Sequence, residues 1–169
     1  SFMAAVVELE SGVVTRGGTE INVAMKRGVA RIDLNTTADS KTKIKEIIVE
    51  DAPAETFPFI ENKQASDKTV NYRKEFGSDF NGEQKEVFRI FESMRPVHIV
   101  LRGTYGEVPI RLKVELPVVE RNKVYELTVL NVGAKIEGNF TIKPWEEGET
   151  IIGKPDTNHR ILLSASKSK

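Results

Sequence analysis

The side chains that could do chemistry are few and scattered. The chain carries two histidines and no cysteine. Without cysteine there is no thiolate catalysis, no disulfide and no Cys-ligated metal, although the compartment stays open on that ground. His98 falls at an outward or edge position of a strand-like run, and His159 lies in a loop beside Arg160. No His-x-x-x-His spacing occurs and no carboxylate cluster frames either residue. A solvated or locally bonded histidine is therefore expected, not a metal ligand or general base. Carboxylates are plentiful, among them Glu115, Glu120, Glu126, Glu137, Glu146 and Glu147. A glycosidase needs two of them converging to about 5–9.5 Å, yet these fall on the polar parity of strands or in turns, as a solvated face requires. No nucleophile elbow, phosphate loop or dinucleotide glycine fingerprint is present. Tyr72, Tyr105, Tyr125 and Trp145 could build a sugar-stacking platform, but Tyr125 shares parity with Leu127 and reads as core. Asn35-Thr36-Thr37 and Asn139-Phe140-Thr141 match the glycosylation triplet, a pattern that arises often by chance. No catalytic residue, metal site or cofactor is expected.

The elements that would position these residues are strands. Between Pro96 and Trp145 four follow in succession. Val97, Ile99 and Leu101 alternate with His98, Val100 and Arg102. After Thr104-Tyr105-Gly106-Glu107, Val108, Ile110, Leu112, Val114 and Leu116 alternate with polar partners. Tyr125, Leu127 and Val129 form the third run, and Ile136, Gly138, Phe140 and Ile142 the fourth. Period-2 alternation with a glycine-bearing connection marks a hairpin, so this half reads as an antiparallel meander. Upstream, Ala4–Glu10 reads as a first strand. Ile21, Val23 and Met25 lie at odd positions, whereas Ala30, Ile32 and Leu34 lie at even ones. That change of parity across Arg27-Gly28 predicts a β-bulge or a bend between two sheets. Ile44–Glu50 is a strand with Ile47 and Val49 inward, and 51–68 is a long loop, expected mainly as a loose surface connection. Thr69–Phe76 is a weaker strand followed by a loop over 77–82. Glu86–Met94 has helical spacing, with Asn81 as a possible cap, but its β-branched and aromatic content favours a strand. Gly153-Lys154-Pro155-Asp156 reads as a turn and 160–164 as an edge strand before a frayed tail.

About ten short strands without a sustained helix predict an all-β fold, an antiparallel β-sandwich. The 169 residues fit a single domain, 1–169, in which 148–169 supplies a loop, an edge strand and the tail. With 39% hydrophobic and 30% charged residues the chain is globular, not disordered. Lys+Arg 25 balances Asp+Glu 25, so nothing attracts nucleic acid or an anionic membrane from a distance. No apolar run approaches the roughly 20 residues that span a bilayer. The opening Ser1-Phe2-Met3-Ala4-Ala5 lacks a basic region and is no signal peptide; its abruptness predicts natural sequence upstream.

Several stretches, in order, resemble the Bacteroidales-type fimbrillins, surface pilin and adhesin subunits. They are Phe2-Met3-Ala4-Ala5, the segment Ile21–Leu34 with Arg27, Ala30 and Arg31, and Ile47–Ala52. Phe88–Ser93, Arg121-Asn122-Lys123-Val124-Tyr125-Glu126-Leu127, and Ile142-Lys143-Pro144-Trp145 complete the series. Each motif is weak by itself, but together they run through most of 2–148. Phe2 stands where the family has proline, Gly28 interrupts the arginine segment, and no lipobox cysteine is present. The resemblance implies a transthyretin-like sandwich, one excised domain of a protein exported to the cell surface, outer membrane or fimbrium. The implied function is a non-enzymatic fimbrial subunit or adhesin that pairs with other fimbrial subunits by β-strand exchange and contacts a host or bacterial surface protein or glycan. Any membrane attachment would be a lipid anchor outside this chain. The positions Arg27, Ala30, Arg31, Arg121, Asn122, Tyr125 and Trp145 are carried over from the family motifs, with structural roles expected. Arg31 and Arg121 should bond backbone or carboxylates, and Asn122 suits a strand-entry turn. An outer-membrane glycan-binding module is the alternative, and would show an exposed pair among Tyr72, Tyr105 and Trp145. A hydrolase would show converging carboxylates.

Overall fold

The computed structural model describes residues 27–133 and 135–145 in full. Of the rest it describes the backbone of the strands Met3–Ala4, Ile21–Ala24, Lys26, Thr150–Pro155 and Ile161–Ser166. The chain divides into two compact units, Gly28–Trp145 and Ser1–Arg27 with Glu146–Lys169, where the sequence reads as one domain.

In the smaller unit β1 (Met3–Ala4) pairs antiparallel with β3 (Lys26–Arg27). A three-stranded antiparallel sheet holds β12 (Thr150–Pro155) between β2 (Ile21–Ala24) and β13 (Ile161–Ser166). Gly153, Lys154 and Pro155 are thus in a strand, not a turn; pairing of all three with β13, and of Gly153 also with β2, outweighs their local turn preference. β13 occupies the edge expected for 160–164. Residues 5–10 of the expected first strand, together with His159, Glu146 and Glu147, lie outside the described residues. The parity change marks the passage between units: Gly28 is a bend, and β3 and the next strand belong to different sheets.

The larger unit is a β-sandwich of two four-stranded sheets. One has the order β11 (Lys135–Pro144), β10 (Lys123–Val132), β4 (Val29–Asn35), β7 (Glu83–Phe91). The other has the order β6 (Thr69–Phe80), β5 (Thr42–Pro53), β8 (Val97–Tyr105), β9 (Val108–Leu116). Alternation does what it predicts: Ala30, Ile32 and Leu34, Ile47 and Val49, Val97, Ile99 and Leu101, and Tyr125, Leu127 and Val129 are all buried in one core cluster. The expected meander is two hairpins instead. β8–β9 closes over Gly106, whose φ of 59° lies in the left-handed region that two-residue hairpins favour. β10–β11 forms in the other sheet, where β10 runs parallel to β4, Tyr125 opposite Ile32. Alternation fixes which face is buried, but not which strand is the neighbour.

Other boundaries shift for physical reasons. β6 continues to Phe80, because Ile44 on β5 pairs with Phe80 across a register shift that absorbs the Gly77-Ser78 stretch. β7 is a strand as the aromatic and β-branched residues require, and Asn81 caps no helix. Its amide donates to the carbonyls of Thr36, Asp39 and Thr42 at 2.9, 2.9 and 2.7 Å, tying two connections at one end of the sandwich. At the same end the Tyr105 hydroxyl donates to Asp39 at 3.0 Å and accepts from the Asn131 amide, which links β8 in one sheet to β10 in the other.

Two predictions come from this geometry. At Gly103, opposite Ile44, a Cβ would lie 1.9 Å from the Lys43 carbonyl oxygen and 2.9 Å from Ile44 Cα. Gly103→Ala should therefore force β5 and β8 apart and cost about 3 kcal/mol or more in urea unfolding. Gly77→Ala, with nothing within 4 Å, should stay within about 0.5 kcal/mol of wild type. The second concerns acid. The backbone N–H of Lys41 above all, with help from Tyr105 and Asn131, lowers the Asp39 pKa against a smaller desolvation effect. A carboxylate whose folded pKa is depressed stabilises the fold above its unfolded pKa, and that contribution fades as pH falls through the folded value. Urea midpoints of Asp39→Asn should lie below wild type at neutral pH and converge with it in strong acid.

Candidate functional site

The described residues concentrate their unusual chemistry at the opposite end, where three connections meet. These are the loop 54–68 between β5 and β6, the link 92–96 between β7 and β8, and the turn 117–122 between β9 and β10. Arg121 is 7% exposed and Glu92 2%. Their side chains form a short ion pair, and a buried pair is tolerable only when its remaining groups are also satisfied. Here the loop satisfies both guanidinium Nη atoms and the second carboxylate oxygen, while the buried Arg121 Nε has no hydrogen-bond partner among the described residues. Arg121 donates to the carbonyls of Phe57 (2.8 Å), Pro58 (3.1 Å) and Ile60 (2.9 Å) and to Thr56 Oγ1 (3.3 Å). The other Glu92 oxygen accepts the Asn62 N–H at 3.2 Å, where Asn62 has a left-handed φ of 57°. Further along, Gln64 accepts from the Met94 N–H, and Arg95 donates to Ser66 O and pairs with Asp67. The loop expected to be loose is therefore bonded along its length. β5 also extends to Pro53, so the loop begins three residues later than the sequence reads.

The family-motif positions gather around the same turn. Asn122 takes the left-handed conformation, φ 58°, that asparagine tolerates. Its N–H donates to Val29 O, and its own carbonyl accepts the Trp145 N–H, both at 2.9 Å. Tyr125 is fully buried, and its hydroxyl accepts the Glu120 N–H at 2.8 Å, the closure of a tyrosine corner. Burial first of all raises the Tyr125 pKa. Arg31 makes two 2.8 Å bonds to Asp33, and its guanidinium lies 5.4 Å from the Trp145 ring centre. Asp33, 3% exposed, also accepts the Glu86 N–H at 2.8 Å, where β7 slips register with β4. Ala30 is wholly buried in the core beneath them. Arg27 belongs to the other unit. Glu92 and Asp33 have roles the sequence did not single out. Glu92 is 29 residues from Arg121, and no local pattern joins them.

The catalytic and sugar-binding alternatives find little support in this geometry. His98 is framed after all: Nδ1 is 3.3 Å from Asp51 and Nε2 3.2 Å from Glu115. These carboxylates come from the flanking strands, so the sequence could not show them. Both are more than half exposed on the outer sheet face, and among the described residues no group of three or more could hold a metal. Glu115, Glu120 and Glu137 are exposed and Glu126 half-buried. Tyr72 tilts against Phe88, Tyr105 bonds Asp39, and Trp145 carries Arg31. Tyr72 lies opposite Val49 and Tyr105 opposite Thr42, roughly 20 Å apart along β5 at the usual strand rise. They form no platform. An open concavity of ≈ 360 Å³ lies between Lys45–Glu46 and Glu75–Asp79. Its Glu46 and Glu75 are held by Arg73, and the Phe76 ring is stacked on Phe80.

Arg121→Met leaves Glu92 buried without its partner and should cost about 3–5 kcal/mol. Replacing both, Arg121→Met with Glu92→Leu, should recover part of that loss, since no lone charge remains. A double-mutant cycle in urea measures this; strict additivity of the two single changes would contradict the pairing.

No family model matches the chain, and no curated protein matches it in sequence. Among solved structures, it is similar to the tip fimbrial protein Mfa3 of Porphyromonas gingivalis with a C-terminal truncation. The TM-score is 0.52 at 14% identity, over 72% of this chain and 52% of that one. It is also similar, more loosely, to a candidate cell adhesion protein of Bacteroides uniformis, with a TM-score of 0.44 at 8% identity over 73% and 53% of the two chains. The chain spans about half the length of these solved structures. Its fold is an all-β sandwich similar to that of the fimbrial tip protein.

Proposed function

We propose that the chain is a domain of a fimbrial subunit or cell-surface adhesin, exported and displayed on the outer membrane or in a fimbrium, and that it works by binding and not by catalysis. The observation that carries this reading is the likeness of its fold to a fimbrial tip protein over 72% of the chain. The ordered series of fimbrillin-like motifs supports it independently, because Arg121, Asn122, Tyr125 and Trp145 meet around one turn, as fold determinants of a shared architecture would. Assembly with other fimbrial subunits would use the outer edges of β6, β7, β9 and β11, which pair with no further strand among the described residues. Two of these, β9 and β11, are in unbroken register with their partners, Val108–Leu116 with β8 and Lys135–Pro144 with β10.

An antibody raised against 28–145 tests the reading on the source cells. It should label intact cells, and deletion of the gene should lower their adherence several-fold. An epitope reached only after lysis, with unchanged adherence, would overturn it.

A further inference from the structure

The Asn81 amide ties one end of the sandwich, and the residue that follows it is the one that makes such an amide reactive. Among the asparagines of this chain, Asn81 alone precedes a glycine. The backbone nitrogen of the next residue can attack an asparagine side chain, and a glycine leaves that nitrogen unshielded. The fold itself does not demand glycine here. Gly82 has no left-handed φ, and a Cβ built on it would meet the Phe80 ring at 3.5 Å, an ordinary contact. Folding engages both reacting groups elsewhere. The amide nitrogen of Asn81 is held by the carbonyls of Thr36, Asp39 and Thr42. The Gly82 N–H donates to Thr36 Oγ1 at 2.9 Å, and Gly82 O accepts the Thr36 N–H at 2.9 Å. Thr36 is wholly buried, so the proton that must leave the attacking nitrogen rests on a hydroxyl shielded from water.

We propose that Asn81-Gly82 is a self-modification site that the fold keeps closed and that opening of this seam exposes. In the opened chain the Gly82 nitrogen bonds to Asn81 Cγ and the Cγ–Nδ2 bond breaks. The Gly82 proton leaves with Nδ2 as ammonia. Water then opens the resulting succinimide at either carbonyl, which leaves aspartate or isoaspartate at position 81. For the structure the change is one-way. Three carbonyl oxygens lie within 2.9 Å of the Asn81 amide nitrogen and need a donor, and a carboxylate offers none. Isoaspartate also lengthens the backbone between β6 and β7 by one carbon. A chain that stays open long enough to lose ammonia therefore cannot remake the seam, and the pair acts as an irreversible record of unfolding. This inference is independent of the adhesin reading.

The test follows the tryptic peptide 75–85, in which Asn81 is the only asparagine, by mass spectrometry and isoaspartate content. The full chain is held folded and in concentrated urea, in one mildly alkaline buffer at one temperature. The unfolded chain should change amide to acid at least about tenfold faster than the folded one, since the reaction must wait for opening. Thr36→Val should speed the reaction several-fold in the folded chain, by more than its urea midpoint accounts for, and leave the rate in urea unchanged. Gly82→Ala should slow it several-fold in urea without lowering the midpoint. On dilution from urea the modified fraction should fail to regain the wild-type midpoint, and Asn81→Asp made directly should unfold at lower urea. Equal rates in the folded and unfolded chains, a folded rate indifferent to Thr36→Val, or modified chain that refolds to the wild-type midpoint would overturn the proposal.

Discussion

The pairing of Arg121 with Glu92 is the constraint on which one end of this sandwich depends. Moving two charges out of water costs several kcal/mol per ion, and their attraction repays it only with good geometry and full hydrogen bonding. The strands alone cannot supply those bonds, since their carbonyls are committed to ladders. The loop 54–68 supplies all but one of them, wrapping its carbonyls around the guanidinium Nη atoms and its Asn62 amide onto the carboxylate, and leaves Arg121 Nε without a partner among the described residues. The loop in turn owes its shape to the pair. Each is the condition of the other, and charge-assisted bonds of this kind are about twice as strong as neutral ones.

From that centre the order spreads into the sheets. Asn122 follows Arg121 directly, and its left-handed turn aims β10 alongside β4 while its carbonyl fastens the end of β11 at Trp145. Trp145 lies over Arg31, which holds Asp33, which holds the slipped register of β7. A continuous series of contacts thus runs from the loop through the turn to the outer face of one sheet. At the far end a different set, Asn81 with three carbonyls and Tyr105 with Asp39 and Asn131, closes the sandwich with half-buried groups and no ion pair among them. One end is a tied seam, and the other holds a rigid loop with apolar side chains facing outward.

Much of the fold was legible in the sequence because period-2 alternation records burial directly. Val97-His98-Ile99 and Tyr125-Glu126-Leu127 each name their inner face, and the aromatic, β-branched run Val87–Phe91 names a strand despite helical spacing. Partnership was not legible. Nothing local tells β10 to lie parallel to β4 rather than beside β9, and Gly77-Ser78 reads as loop because register slips are made by the neighbouring strand. The same limit applies to the site. Arg121 and Asn122 stood out through family resemblance, but Glu92, Asp33 and the carboxylates beside His98 are brought in by pairing between distant segments. A loop rich in proline and polar residues looks loose until the side chain that holds it is known.

Hydrogen exchange of the unmodified protein tests the account at its centre. The Asn62 and Met94 amides donate to Glu92 and Gln64, so their protection reports whether the loop is bound to the pair. If the pinned end is as described, both should exchange far more slowly than free peptide, alongside core amides such as those of β10. Exchange of Asn62 and Met94 at near free-peptide rates, while β10 stays protected, would mean that the loop is loose in solution and that Arg121 does not organise it.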